Sequence, residues 1–258
     1  TAWNASSSLW VNGGTAISIS GTLSSGTANF TTSDVIYFTG NAGTLSLGPL
    51  LTVNGINDAS AGTLTVSDGG GTITLGGSSP SITVGTGSIL VIAAPLSGST
   101  DFSKAGLGTL TLSGTNTYAG SITISAGTLV LSGGQALADS GSVSVASGGS
   151  LQVTSSETIG GLTGVSGGTV SVGTGVTLSI GTAGSNSTMA GAIAGSGSLT
   201  VLIGTLTLNG ANTYTGGIIV SGGSLIISGG QALADSGTVN VESGGLLQVT
   251  SSETIGRG

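Results

Sequence analysis

The chain has 258 residues, of which 52 are glycine, 37% are hydrophobic and only 4% charged, and its net charge is −7. Two cations cannot form the basic stripe that displaces counterions from nucleic acid or docks on anionic lipid, so neither partner is expected. With no cysteine and no histidine there is no disulfide framework, no thiolate site and no usual nucleophile–base pair, so no catalytic residue, metal or cofactor is expected.

Taken in chain order, residues 1–40 hold five of the eight aromatics: Trp3, Trp10, Phe30, Tyr37 and Phe38. Residues 41–108 carry alternating polar–apolar runs at Thr44–Leu47, Thr63–Val66, Thr72–Leu75 and Ser81–Val84, the period-two pattern of strands with one buried face. The longest apolar run, Ile89–Leu96, is far short of the ~20 residues that span a bilayer. From residue 109 the alternation becomes regular. Leu110, Leu129, Leu151 and Val170 are 19, 22 and 19 residues apart, each in such a run and each followed by Gly, Ser or Asn turn material.

A longer period contains this shorter one. Residues 109–162 and 205–258 align without insertion at an offset of 96, and two decapeptides, 132–141 with 228–237 and 151–160 with 247–256, are identical. Stacked coils of about 20 residues bury a continuous apolar column that no single coil could bury alone. The expected fold is therefore all-β, a parallel β-solenoid with five rungs per 96-residue unit and a length on the order of 60 Å at ~4.8 Å per rung. An antiparallel sandwich accounts for short strands and glycine turns equally well, but has no reason to repeat its sequence in register. The expected organisation is an aromatic-rich cap or docking segment over 1–40, irregular rungs over 41–108, a first unit over 109–204 and a truncated second unit over 205–258.

The run from Gly106 to Gly120, GLGTLTLSGTNTYAG, resembles the autotransporter-associated β-strand repeat, also called the passenger-associated transport repeat, and Gly204–Gly216 resembles it again. The resemblance implies a right-handed parallel β-helix in a large secreted or surface-anchored bacterial protein. It implies no activity, since the repeat is a scaffold. No C-terminal membrane barrel follows in these residues, which leaves a clipped passenger and a soluble secreted relative both open.

Individual residues are weighed against this scaffold. Asp139 and Glu157 recur as Asp235 and Glu253, and acids copied with a repeat read as turn or cap residues rather than half of a unique active site. Asp139 is expected in a short helical turn ending at Gly141, and Asn57-Asp58 and Asp68-Gly69 in isolated turns. Asn116 and Asn212 are expected as stacked amides or left-handed turns, and Tyr118 and Tyr214 as packing residues rather than carbohydrate platforms. Lys104 and Arg257 stand alone. The functional expectation is a non-catalytic extracellular structural rod that self-associates head to tail, its end contacts drawn from Trp3, Trp10, Phe30, Tyr37, Phe38, Ile255 and Arg257. The alternative is an adhesin or display-scaffold segment on the bacterial cell surface, with surface carbohydrate or a host ligand as partner.

Overall fold

The computed structural model describes residues 17–18, 35–47, 50–182, 184–233 and 238–253. These residues contain no helix, and every strand pairing among them is parallel. The chain winds as a β-solenoid of about 10 turns at about 21 residues each. Parallel pairing between every neighbouring turn rules out the antiparallel sandwich.

Each turn crosses three faces, here named A, B and C in the order the chain visits them. Face A stacks Ser88–Ile92, Thr109–Leu112, Gly127–Leu131, Gly149–Val153, Thr169–Val172 and Ala192–Gly195. Face B includes Ile73–Leu75 and Leu96–Ser97, then Glu157–Ile159, Thr177–Ile180, Ser198–Val201, Ile218–Val220 and Val239–Val241. Face C runs from Ser81–Val84 and Phe102–Ala105 through Ile122–Ile124, Ser142–Val145 and Gly161–Gly164 to Thr205–Leu208, Ser224–Ile227 and Leu246–Val249. Near the N-terminus, Val35–Leu47 and Gly55–Asp68 run through the corner between faces C and A without a break, with a register shift between Asn41 and Gly43.

Alternation decides which side chains enter the core. On face A, Leu90, Leu110, Leu129, Leu151, Val170 and Ile193 lie directly over one another, and all are buried. Burying each such side chain contributes on the order of 1.5–3 kcal/mol, so these columns dominate the stability of a chain with so few charges. The outward residues between them are mainly Ser and Thr. On face C one outward row reads Ser81, Ser103, Thr123, Ser144 and Thr163 on consecutive turns, and Thr188 pairs with Thr207 further along.

Corners demand glycine where one turn's backbone presses on the next. Gly106 has φ +75° and Gly204 φ +83°, and an added Cβ would strike the Val84 carbonyl in one case and the Ser185 carbonyl in the other. Position and conformation both exclude a side chain there.

The two 96-residue copies do not lie on the same faces. Thr109–Leu112 is on face A, between Ser88–Ile92 and Gly127–Leu131, whereas its copy Thr205–Leu208 is on face C, between Asn186–Met189 and Ser224–Ile227. Ile122–Ile124 and Ser142–Val145 are on face C, and their copies Ile218–Val220 and Val239–Val241 are on face B. Following the chain from Thr109 to Thr205 takes fourteen face-to-face steps, which is four turns and two further faces. The unit is therefore four and two-thirds rungs long instead of the five expected, because its turns average slightly more than 20 residues.

Candidate functional site

The residues that distinguish the repeat from a generic strand are turned inward. After Thr109–Leu112 the chain crosses face B without forming a strand, and the Asn116 side chain adds to the few backbone bonds there, such as Thr117 N–H on the Leu96 carbonyl and Asn116 N–H on the Gln135 carbonyl. The Leu96 N–H of the preceding turn donates to Asn116 Oδ1 at 2.7 Å, while Asn116 Nδ2 donates to the Ala136 carbonyl of the following turn at 2.8 Å. One buried amide thus joins three turns. Glu157 continues the column: its carboxylate accepts the N–H groups of Ala136 at 3.0 Å and Leu137 at 3.1 Å. Burial pushes the Glu157 carboxyl above the usual range, and the two N–H donors oppose that rise.

The second copy rebuilds the same clamp against different neighbours on face A. Ile193 N–H donates to Asn212 Oδ1 and Asn212 Nδ2 to the Ala232 carbonyl, both at 2.7 Å, and Glu253 accepts Ala232 and Leu233 N–H, both at 3.1 Å. Asn116 and Asn212 are therefore bridging amides and not left-handed turns, since no described non-glycine residue has positive φ. Glu157 is a cap, as its repetition suggested, but it caps a neighbouring turn about 20 residues back in the chain.

Tyr118 and Tyr214 are buried in the core. Tyr118 stands edge-on to Phe102 with ring centroids 5.1 Å apart, and its hydroxyl donates to the Thr100 carbonyl. The Tyr214 hydroxyl, equally buried, has no partner among the described residues.

Lys104 is the feature that sequence reasoning missed. It occupies the inward phase of Phe102–Ala105, stacked between Ile82 and Ile124, and is fully buried. Its Nζ donates to four carbonyls at the C–A corner: Ala105 at 3.2 Å, Gly106 at 2.7 Å, Gly108 at 2.8 Å and Ala126 at 3.0 Å. An ammonium has three protons, so four acceptors leave at least one shared. Burial lowers its pKa to about 8, so it stays protonated at neutral pH. The signal was present in the sequence, because Lys104 falls in phase with Phe102.

Two further expectations are corrected. Asn57-Asp58 is no turn: it lies within Gly55–Asp68, and Asp58 alternates inward with Ile56 and Ser60. Asp58 Oδ1 accepts Ser60 N–H at 3.0 Å, whereas its Oδ2 and the Ser60 hydroxyl are buried without partners among the described residues. Asp139 lies in a tight turn closed by Gly141 N–H on the Ala138 carbonyl at 2.8 Å, not in a helical turn. Asp68 does form its expected turn, accepting Gly70 N–H at 2.8 Å.

Of the residues expected at the ends, Phe38 faces the core and Tyr37 is half-buried, both in Val35–Leu47. Trp3, Trp10, Phe30, Ile255 and Arg257 lie outside the described residues. Among the described residues no three acidic, His or Cys side chains gather as a metal site, and no helix is long and apolar enough to cross a membrane.

A filled, three-faced parallel prism in which Asn116, Glu157 and their copies tie neighbouring turns together is a β-solenoid. Residues 102–131 and 203–227 match the passenger-associated-transport-repeat family, each match spanning an Asn-Thr-Tyr crossing, so the chain carries two copies of this repeat. It is 36% identical over 136 residues to the adhesin BmaC autotransporter of Brucella suis biovar 1 (strain 1330). That alignment covers 53% of this chain and 4% of the relative, so the chain spans a small fraction of that protein's length. No solved structure matches the chain. The repeat and this relative agree with the secreted, cell-surface location expected from the sequence.

Proposed function

We propose that the chain is a non-catalytic scaffold rod in an adhesin-type surface passenger, setting the distance between the cell and whatever the passenger presents. The observation that carries this reading is the inward fate of the repeated polar residues. Asn116 and Glu157 are consumed by backbone groups of neighbouring turns and Tyr118 by packing, so the outer faces carry mainly hydroxyls and very little charge. Glu157, buried and doubly capped, is no exposed acid for glycoside cleavage. Incubating the purified chain with a panel of acidic and neutral polysaccharides should release no product, and electron microscopy should show straight rods. Release of sugar fragments from any of them would overturn the reading.

End-to-end association is a second reading, supported by the parallel ladder along the rod and by its low charge, with only 4% of residues charged. A second copy stacked on such a prism gives a head-to-tail contact that does not close. Sedimentation at rising concentration should show association; a monomer throughout would count against it.

A further inference from the structure

We infer that the 96-residue unit is a face-independent module: its sequence specifies a complete stretch of prism regardless of which face it starts on, so whole units can be added or removed without breaking register.

The argument rests on the two copies. Closely similar sequence is built on different faces, yet the local bonding repeats. The first clamp joins Leu96, Asn116, Ala136 and Glu157 across face B, and the second joins Ile193, Asn212, Ala232 and Glu253 across face A. Corresponding bonds differ by no more than 0.1 Å. The turns beneath them share only a short pattern, Leu96-Ser97-Gly98 in one case and Ile193-Ala194-Gly195 in the other, whose carbonyls at the apolar residue and the glycine accept Thr117 and Ala119 N–H, and Thr213 and Thr215 N–H. What a unit requires of the turn below is therefore small, a parallel edge with an apolar residue in phase and a glycine two residues on, and faces B and A both supply it. A strand that depended on its own face could not have been copied two faces round.

Two consequences follow for a chain carrying more units. Each unit lengthens the rod by about 22 Å at ~4.8 Å per turn. Each also presents its outward residues, such as Thr117 in the first copy and Thr213 in the second, on a new face, and the arrangement recurs only after three units.

The test is a deletion of residues 109–204, which joins Gly108 to Thr205 and moves every later strand onto a different face. Thr207 then takes the place of Thr111 and lies beside Val91, which pairs with Thr111 in the intact chain, where Thr207 itself pairs with Thr188 and Ile226. The protein has no cysteine, so paired substitutions are read without background. A short thiol cross-linker should join Val91→Cys to Thr207→Cys in the shortened chain and not in the intact one. It should join Thr207→Cys to Ile226→Cys in both. The shortened chain should melt cooperatively within a few degrees of the intact one. A shortened chain that fails to fold, or that folds without the Val91–Thr207 cross-link, overturns the inference. The companion deletion of residues 109–191 keeps every later strand on its original face; if it alone folds, each strand is tied to its face.

Discussion

Tyr118 and Tyr214 occupy equivalent positions in the two copies, and only one hydroxyl is satisfied. Tyr118 donates to the Thr100 carbonyl, whereas Tyr214 Oη is buried without a partner among the described residues. A buried hydrogen bond contributes about 1 kcal/mol net, and a buried polar group left unpaired costs about 1–3 kcal/mol. Tyr118→Phe should therefore destabilise by about 1 kcal/mol, while Tyr214→Phe should be neutral or stabilising, both read from urea midpoints. Lys104 makes a pH-dependent prediction. Its folded pKa, about 8, lies below the ordinary 10.5, so the unfolded chain holds this proton more tightly than the native one. Stability attributable to Lys104 should rise as pH climbs between those two values. Lys104→Met removes the titration and leaves four carbonyls without their donor. The variant should be less stable at neutral pH and lack the alkaline rise, which equilibrium unfolding across that window would detect.

At the scale of the element, the clamps replace a strand where the chain cannot supply one. Asn116→Ala leaves the Leu96 N–H and the Ala136 carbonyl unpaired in the core, a loss of about 2–4 kcal/mol if both stay dry. Hydrogen exchange should localise the change to the Leu96 and Leu137 turns and spare the second copy. The strands themselves were legible in the sequence, because period-two alternation fixes both strand and buried face: Thr109–Leu112 and Thr169–Val172 are read directly. The Asn-Thr-Tyr crossing was half legible. Its repetition marked Asn116 and Glu157 as structural, but their partners lie about 20 residues away on neighbouring turns, a distance local pattern cannot assign. Asp58 misled for a related reason, since Asn-Asp is turn chemistry in isolation and only the stacking of its neighbours holds it in a strand.

For the molecule as a whole, the duplication revealed the solenoid but concealed its phase. Turn length varies by a few residues at the corners, and only the pairing partners show that a unit closes on a different face. Those pairings also fix how the rod would respond to force. The interstrand hydrogen bonds point along the rod axis, so a pull on the two chain ends loads the outermost turn alone and opens its bonds one after another. The rod should then unwind turn by turn, each step releasing about 21 residues or ~70 Å of extended chain. Single-molecule pulling should record a train of small, similar steps, with taller ones where Asn116 and Asn212 rivet three turns together. A surface rod of this kind yields in increments under load rather than failing at once.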